Sequence, residues 1–137
     1  MRPVTTSLAL ALCLLGCGWG ERVELLTGVD PNNCYAGGES GITSLLVVDP
    51  EHGTSFDGRP VMWPDGYTGR RLLGEVEVLD AEGNVRATTG RTYHISYAPA
   101  PEGAEALNAF PAAVHCDYPW DFVDCTAEPA NDYCRPD

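Results

Sequence analysis

The stretch "GEVEVLDAEGNVRATTG", Gly74–Gly90, carries the clearest structural signal in the sequence. Valine alternates with glutamate over Glu75–Val78, which is the period-two pattern of a strand with one buried face. Turn-forming residues follow in "DAEGN", Asp80–Asn84. Alternation then resumes over Val85–Thr89. We therefore predict a β-hairpin with its valines facing a core.

Strand signals extend outward from this hairpin in both directions. "RTYHISY", Arg91–Tyr97, alternates again and predicts Tyr93 and Ile95 inside with His94 facing solvent. Upstream, "ITSLLVVD", Ile42–Asp49, is a short run rich in Ile, Thr and Val, which favours a buried strand over a helix. Further strands are predicted at 22–28 and 61–63, the latter closed by the turn Pro64-Asp65-Gly66.

Five to six short strands separated by turns predict an all-β fold, either a small barrel or a sandwich. After Ala98 the chain becomes rich in Pro, Ala and acidic residues. There we expect a short helix at about 102–110 and otherwise an irregular segment tied down by disulfides. The predicted organisation is a single β domain over 22–137 with this segment, from about 98, as its extension.

The N-terminus has the layout of an export signal. Met1-Arg2 is positively charged, Leu8–Leu15 is apolar, and the small residue Gly16 precedes Cys17. The segment 4–19 would form about 24 Å of helix, whereas a membrane span needs about 30 Å. We therefore interpret 1–16 as a signal peptide rather than a transmembrane helix.

The four residues "LLGC", Leu14–Cys17, resemble the lipobox of bacterial lipoproteins. The resemblance implies cleavage after Gly16 and lipidation of Cys17 with fatty acyl chains such as palmitate, so that 17–21 becomes a lipidated tether. The chain would then be held at the cell membrane on its extracytoplasmic face. The alternative is ordinary cleavage and free secretion.

A second resemblance covers 42–97. It rests on Trp63-Pro64-Asp65-Gly66 and on the hairpin turn at Glu82–Val85. These motifs are similar to those of small uncharacterised actinobacterial lipoproteins and secreted proteins. The resemblance implies a small β-barrel of the OB type and carries over no catalytic residue.

Signal cleavage would remove Cys13, and lipidation would occupy Cys17, leaving four of the six cysteines. An even number in an exported domain predicts two disulfides among Cys34, Cys116, Cys125 and Cys134. Three pairings are open, and we favour Cys34–Cys116 with Cys125–Cys134. The competing interpretation is zinc, suggested by His115 beside Cys116, but no C-x-x-C occurs and we predict no metal site.

The chain is strongly acidic, with 20 Asp and Glu against 8 Lys and Arg and a net charge of −12. All eight basic residues are arginine, and loss of Arg2 would leave 20 acids against 7 arginines, a charge of −13. A nucleic acid would be repelled. An anionic bilayer surface would not attract the domain either.

No catalytic constellation stands out, and we predict that the protein is not an enzyme. "GGESG", Gly37–Gly41, lacks the spacing of a nucleophile elbow. His52 follows Asp49 closely, but a turn in which these residues bond local backbone explains the pattern equally well. No cofactor is predicted.

Two clusters near turns are candidates for ligand contact. Asp117, Asp121 and Asp124 share one loop. Because the EF-hand spacing is missing, we interpret it as a solvated acidic loop. Calcium binding by these carboxylates is the alternative. Trp63, Tyr67 and Trp120 are candidate ligand contacts, with core packing as their alternative.

Three hypotheses about function follow. The leading one is a non-enzymatic, lipid-anchored envelope protein whose β domain contacts a protein or the cell wall. The second is a binding module for a carbohydrate or a cation. The third is an exported enzyme of unrecognised type.

Overall fold

A computed structural model describes residues 20–34 and 41–135. The segment 1–16 predicted to be a signal peptide, Cys17 and Ser40 lie outside the described residues. Within them the fold is all-β, as predicted, and contains eleven strands and two short 3-10 turns. The strands are β1 (Glu21–Val23), β2 (Thr27–Val29), β3 (Gly41–Asp49), β4 (Gly53–Phe56), β5 (Arg59–Pro64), β6 (Thr68–Leu72), β7 (Glu75–Leu79), β8 (Val85–Thr88), β9 (Thr92–Ser96), β10 (Phe110–Pro111) and β11 (Phe122–Asp124).

The predicted hairpin is confirmed as β7 and β8, the edge of a four-stranded sheet in the order β1-β6-β7-β8. Val76 and Val78 are fully buried, while Glu75 is exposed. The turn is held by Asp80, whose Oδ1 accepts hydrogen bonds from the backbone N–H groups of Glu82 and Asn84 at 3.0 and 2.9 Å. Val85 breaks the expected alternation and lies exposed, because the pairing register shifts at Leu79.

The second sheet has seven strands, in the order β10-β5-β4-β3-β9-β11, with β2 pairing alongside β5. Residues of both sheets share one core, in which Leu46, Trp63 and Ile95 of the larger sheet pack with Val78 and Ala87 of the smaller. Neither sheet closes on itself. The packed sheets therefore match the sandwich alternative, and the expectation of an OB-type barrel is wrong.

The expected five to six strands were too few. The predicted strand at 22–28 is two strands, β1 and β2, and four further strands were missed: β4, β6, β10 and β11. "GTSF" of β4 and "TGRRL" of β6 lack apolar alternation, so their sequences do not predict strands. They are strands because ladder hydrogen bonds to neighbouring strands hold them in place. β10 and β11 have only two and three residues, too short for any periodicity to register.

The expectation that His94 faces solvent is wrong: it is only 8% exposed. β9 lies between β3 and β11, and the ring of Tyr133 packs over the imidazole at 5.5 Å between centroids. The Thr43 hydroxyl donates to the Tyr133 carbonyl, so its oxygen accepts from Nδ1–H of His94 at 2.9 Å. Burial lowers the pKa of His94, and the imidazole is held neutral in this tautomer.

The C-terminal segment is mostly irregular and tied down by disulfides, as predicted. The favoured pairing is confirmed, with Cα–Cα distances of 5.4 Å for Cys34–Cys116 and 5.5 Å for Cys125–Cys134. The expected helix at 102–110 is reduced to one 3-10 turn, Glu105–Leu107, which ends at Asn108 in a left-handed conformation. Among the residues that the structure describes, no helix is long and apolar enough to span a membrane.

Candidate functional site

A polar cleft of about 350 Å³ opens where turns of the smaller sheet meet the loop after β10. The β5–β6 turn contributes Asp65 and Tyr67, and the β7–β8 hairpin contributes its turn and Arg86. His115 closes the opposite wall. Together with Pro31, which follows β2, four separate segments of the chain converge here. The cleft is lined by Pro31, Asp65, Tyr67, Asp80, Ala81, Glu82, Arg86 and His115.

Tyr67 is the most deeply placed aromatic group of the cleft, at 8% exposure. Its ring stacks on the indole of Trp63, with 6.4 Å between centroids and 14° between planes. Its hydroxyl makes no hydrogen bond within the described part of the chain. Burial raises the pKa of Tyr67, and the negative charges of Asp80 and Glu82 raise it further. The positive charge of Arg86 lowers this pKa but only partly offsets the increase. The phenol therefore keeps its proton at neutral pH.

Asp80 and Arg86 give the cleft fixed charges. The backbone N–H of Asn84, then that of Glu82, bind the Asp80 carboxylate and hold its pKa below the usual range. Oδ2 of Asp80 lies 3.8 Å from Arg86, whose Nη2 donates to the Val114 carbonyl at 2.6 Å. Arg86 thus connects the hairpin to the C-terminal segment, and its guanidinium is already in contact with Asp80 and the Val114 carbonyl.

His115 is oriented by the backbone. Its Nε2 lies 3.0 Å from the carbonyl oxygen of Asn33. Because a carbonyl can only accept, Nε2–H of His115 donates this hydrogen bond. Nδ1 is buried and has no hydrogen-bond partner among the described groups. His115 also lies beside the Cys34–Cys116 disulfide, whose closed bond commits both sulfurs and leaves no metal-binding thiol there.

The cleft as a whole favours a cationic ligand. Three carboxylates face one guanidinium, and a buried phenol adds a neutral oxygen acceptor. Its chemistry is that of binding an ammonium or guanidinium group through charge and hydrogen bonds.

The two candidate tryptophans occupy different environments. Trp63 is fully buried, and its indole N–H donates to the Thr54 hydroxyl at 2.9 Å, which agrees with the core-packing alternative. Trp120 is half-buried and stacks on the exposed ring of Tyr118, with 5.0 Å between centroids. Of the three candidate contacts, only Tyr67 lines the cleft.

The acidic loop is not the solvated cluster that the sequence suggested. Asp117 is exposed, but Asp124 binds Arg91 at 2.8 Å and also accepts from backbone N–H groups. Asp121 is 0% exposed, and neither of its carboxylate oxygens has a hydrogen-bond partner among the described residues. The three carboxylates do not form a potential metal-binding group within the described residues.

Burial dominates the electrostatics of Asp121 and raises the pKa of its carboxyl group. The charge of His115 offsets only part of this effect. Ser96 donates its own hydrogen to the Trp120 carbonyl at 2.8 Å. Its oxygen can therefore only accept, and an ionised carboxylate beside it gains no donor.

The Asp49–His52 pair is a local turn. Oδ1 of Asp49 accepts from the backbone N–H groups of Glu51 and His52 at 2.8 and 3.2 Å, and Oδ2 lies 3.6 Å from the imidazole. This is the backbone-bonding alternative that the sequence left open.

A second cavity, of about 400 Å³, lies beside Tyr97 and the 3-10 turn. Two charged residues line it, Arg59 and Glu105. Arg59 donates to the carbonyls of Asn108 and Ala109 at 3.2 and 2.7 Å and packs over the Tyr97 ring. The guanidinium is therefore occupied in holding the C-terminal segment against β5.

Sequence reasoning identified Tyr67 but not the partners that surround it. Asp80 was assigned only to a turn, and His115 was considered only as a zinc ligand. Comparison with family models, with curated proteins and with solved structures finds no match to this chain.

Proposed function

We propose that this chain is exported and lipid-anchored through Cys17, and that it presents a small acidic β domain on the extracytoplasmic side of the membrane. Its role there is non-enzymatic, by contact with a protein or the cell wall. Free secretion is the alternative localisation.

The observation that carries this proposal is where the folded domain begins. Glu21, the first residue of β1, follows Cys17 by only four positions, so a lipid on Cys17 would have a short tether and no intervening domain. All four cysteines of the described residues pair with one another, which is typical of an oxidising, extracytoplasmic compartment. None of them needs Cys17 as a partner.

Replacing Cys17 with serine is expected to move the protein from the membrane fraction to the soluble exported fraction. The thiol is the attachment point of the acyl chains, and stable anchoring takes two such chains. Fractionation followed by immunoblotting measures the change, with Cys13→Ser as the matched control that should stay in the membrane. A Cys17→Ser protein that remains membrane-bound contradicts the anchor.

The cleft supports a second candidate function, the binding of a small organic cation. The specific observation is the Tyr67 hydroxyl, which is nearly buried, keeps its proton and makes no hydrogen bond in the described structure. An ammonium group could donate to it while lying near the carboxylates of Asp65 and Glu82.

Tyr67→Phe is expected to weaken the binding of butylammonium roughly tenfold, because a hydrogen bond to a charged group contributes about 1.5–3 kcal/mol. The folded state should be unaffected, since the hydroxyl bonds nothing in it. NMR titration reports both affinity and location. Tyr97→Phe, in the other cavity, is the control. The proposal of a cation site would be contradicted by chemical-shift changes at residues outside the cleft. Equal butylammonium affinity in the wild type, Tyr67→Phe and Tyr97→Phe would also contradict it.

A further inference from the structure

The turn between β6 and β7 breaks two local rules. Leu72 pairs with Glu75, so Leu73 and Gly74 form a two-residue hairpin loop, with φ of 54° and 85°. These angles are those of a type I′ turn, whose first position favours Asn, Asp or Gly. A leucine there is sterically unfavourable because its Cβ crowds the backbone. It is also 96% exposed, so no packing compensates.

The same chain contains an ordinary version of this turn. β4 and β5 are joined by Asp57 and Gly58, with φ of 53° and 76°. Apart from glycines, the described residues with positive φ are Asp57, Leu73 and Asn108. Leu73 is therefore the single apolar side chain in this conformation within 20–34 and 41–135. Such a local conflict, without a gain in the folded domain, is typical of a functional position.

The turn lies beside the start of the domain. β1 runs antiparallel to β6 with Glu21 opposite Arg71, so the first residue of β1 lies next to the β6–β7 turn. Gly20 confirms this placement, because a Cβ at its position would collide with the Arg71 carbonyl. Three residues separate Cys17 from Glu21, so four Cα–Cα steps give an extended reach of at most about 14 Å.

Charge at this end of the domain differs from the acidic whole. β1, β6 and β7 together carry three arginines and three glutamates, so this side of the domain is charge-balanced in a chain of net charge −12. Two of the pairs are direct, with Arg70 to Glu77 at 2.5 Å and Arg71 to Glu21 at 4.0 Å. An anionic bilayer would therefore repel this end less than the rest of the domain. The sequence also has Trp19 in the tether, a residue type enriched at membrane interfaces.

We propose that the β6–β7 turn is the membrane-contacting tip of the domain and that Leu73 inserts into the bilayer interface. This inference rests on the proposed lipid anchor at Cys17. The tip then fixes the orientation of the domain and directs the cleft side of the sandwich away from the lipid. The partner is the lipid surface itself, with the apolar tip as its contact.

The test places one fluorophore at the tip and one at the far end of the same sheet. Leu73→Cys and, as the matched control, Val85→Cys are each labelled with nitrobenzoxadiazole in the lipidated protein. Val85 is 48% exposed and pairs with Leu79, at the other end of β7 from Glu75. The vesicles contain phosphatidylethanolamine and phosphatidylglycerol, with shallow nitroxide lipids as quenchers.

We expect the label at 73 to shift its emission to the blue and to be quenched severalfold more than the label at 85. Equal, water-like emission from both labels on membrane-bound protein overturns the inference and leaves the anchor intact. Protein that stays off the vesicles overturns the anchor and the inference together. The two failures are thus distinguishable.

A second variant tests whether Leu73 serves the fold instead. Leu73→Asn supplies the residue that a type I′ turn favours. We expect Tm of the domain to rise by about 2–6 °C, while contact of the tip with vesicles, measured by protection of Arg71 from a guanidine-selective reagent, decreases. A lower Tm would assign Leu73 to domain stability and overturn the inference.

Discussion

Replacing Cys34 and Cys116 together with serine is expected to lower the free energy of unfolding by about 4–5 kcal/mol. The disulfide joins residues separated by 82 positions, so it removes much of the entropy of the unfolded chain. It also lies within a second apolar cluster, where Cys116 packs with Val29 and Met62. Equilibrium unfolding in urea measures the loss.

The second disulfide provides the matched control. Cys125 and Cys134 are separated by only 9 positions, so their double serine variant should lose about 2.5 kcal/mol. The local 3-10 turn Asp132–Cys134 and the cover over His94 would loosen with it. Equal losses from the two variants, or a larger loss from the short loop, would contradict this ordering.

Asp121→Asn is expected to stabilise the domain by about 1–3 kcal/mol at pH 7, because the amide carries no charge that burial disfavours and its N–H can donate to the Ser96 hydroxyl oxygen. The carboxyl is fully buried, and neither oxygen is hydrogen-bonded within residues 20–34 and 41–135. An amide of the same shape removes the charge without opening a cavity. Thermal and urea unfolding of both proteins measure the difference.

The gain should depend on pH in a defined direction. Burial raises the pKa of Asp121 in the folded state above its unfolded value. The contribution of this carboxyl to stability is therefore complete below about pH 4 and is lost as pH rises through the folded-state pKa. The advantage of Asp121→Asn should be absent at pH 3 and reach its plateau above that pKa.

Asp117→Asn is the control for this series, because Asp117 lies in the same loop but is exposed. Its effect should stay within about 0.5 kcal/mol at every pH. An Asp121→Asn protein less stable than the wild type at pH 7 would mean that the ionised carboxylate is stabilised in the folded state.

The parts of the fold that the sequence predicts are those with strong local patterns. The β7–β8 hairpin follows from alternating valines and a turn held by Asp80. β4, β6 and β11 were missed because pairing with neighbouring strands, rather than their own residues, decides their conformation. The same limit explains why the burial of His94 was not predicted. Polar and apolar residues alternate in its strand sequence, but the ring of Tyr133 that covers the imidazole comes from a distant segment.

In the candidate site, too, features with a local sequence signal were predicted, and those that depend on distant segments were not. Tyr67 was identified as an aromatic residue beside a turn, and its place in a cleft depends on Asp80, Arg86 and His115 coming together. No spacing in the sequence encodes that convergence, since His115 is brought there by the C-terminal segment. Asp121 was expected in a solvated loop, because the acidic composition around it gives no sign that β11 carries it into the interior.

The central claim is the lipid anchor, and the mass of the mature protein tests it most directly. Intact-mass and N-terminal peptide mass spectrometry of protein from the membrane fraction should show a chain that begins at Cys17, lacks 1–16 and carries a diacylglyceryl group on that residue. A mature chain that begins elsewhere, or that begins at an unmodified Cys17, would contradict the account.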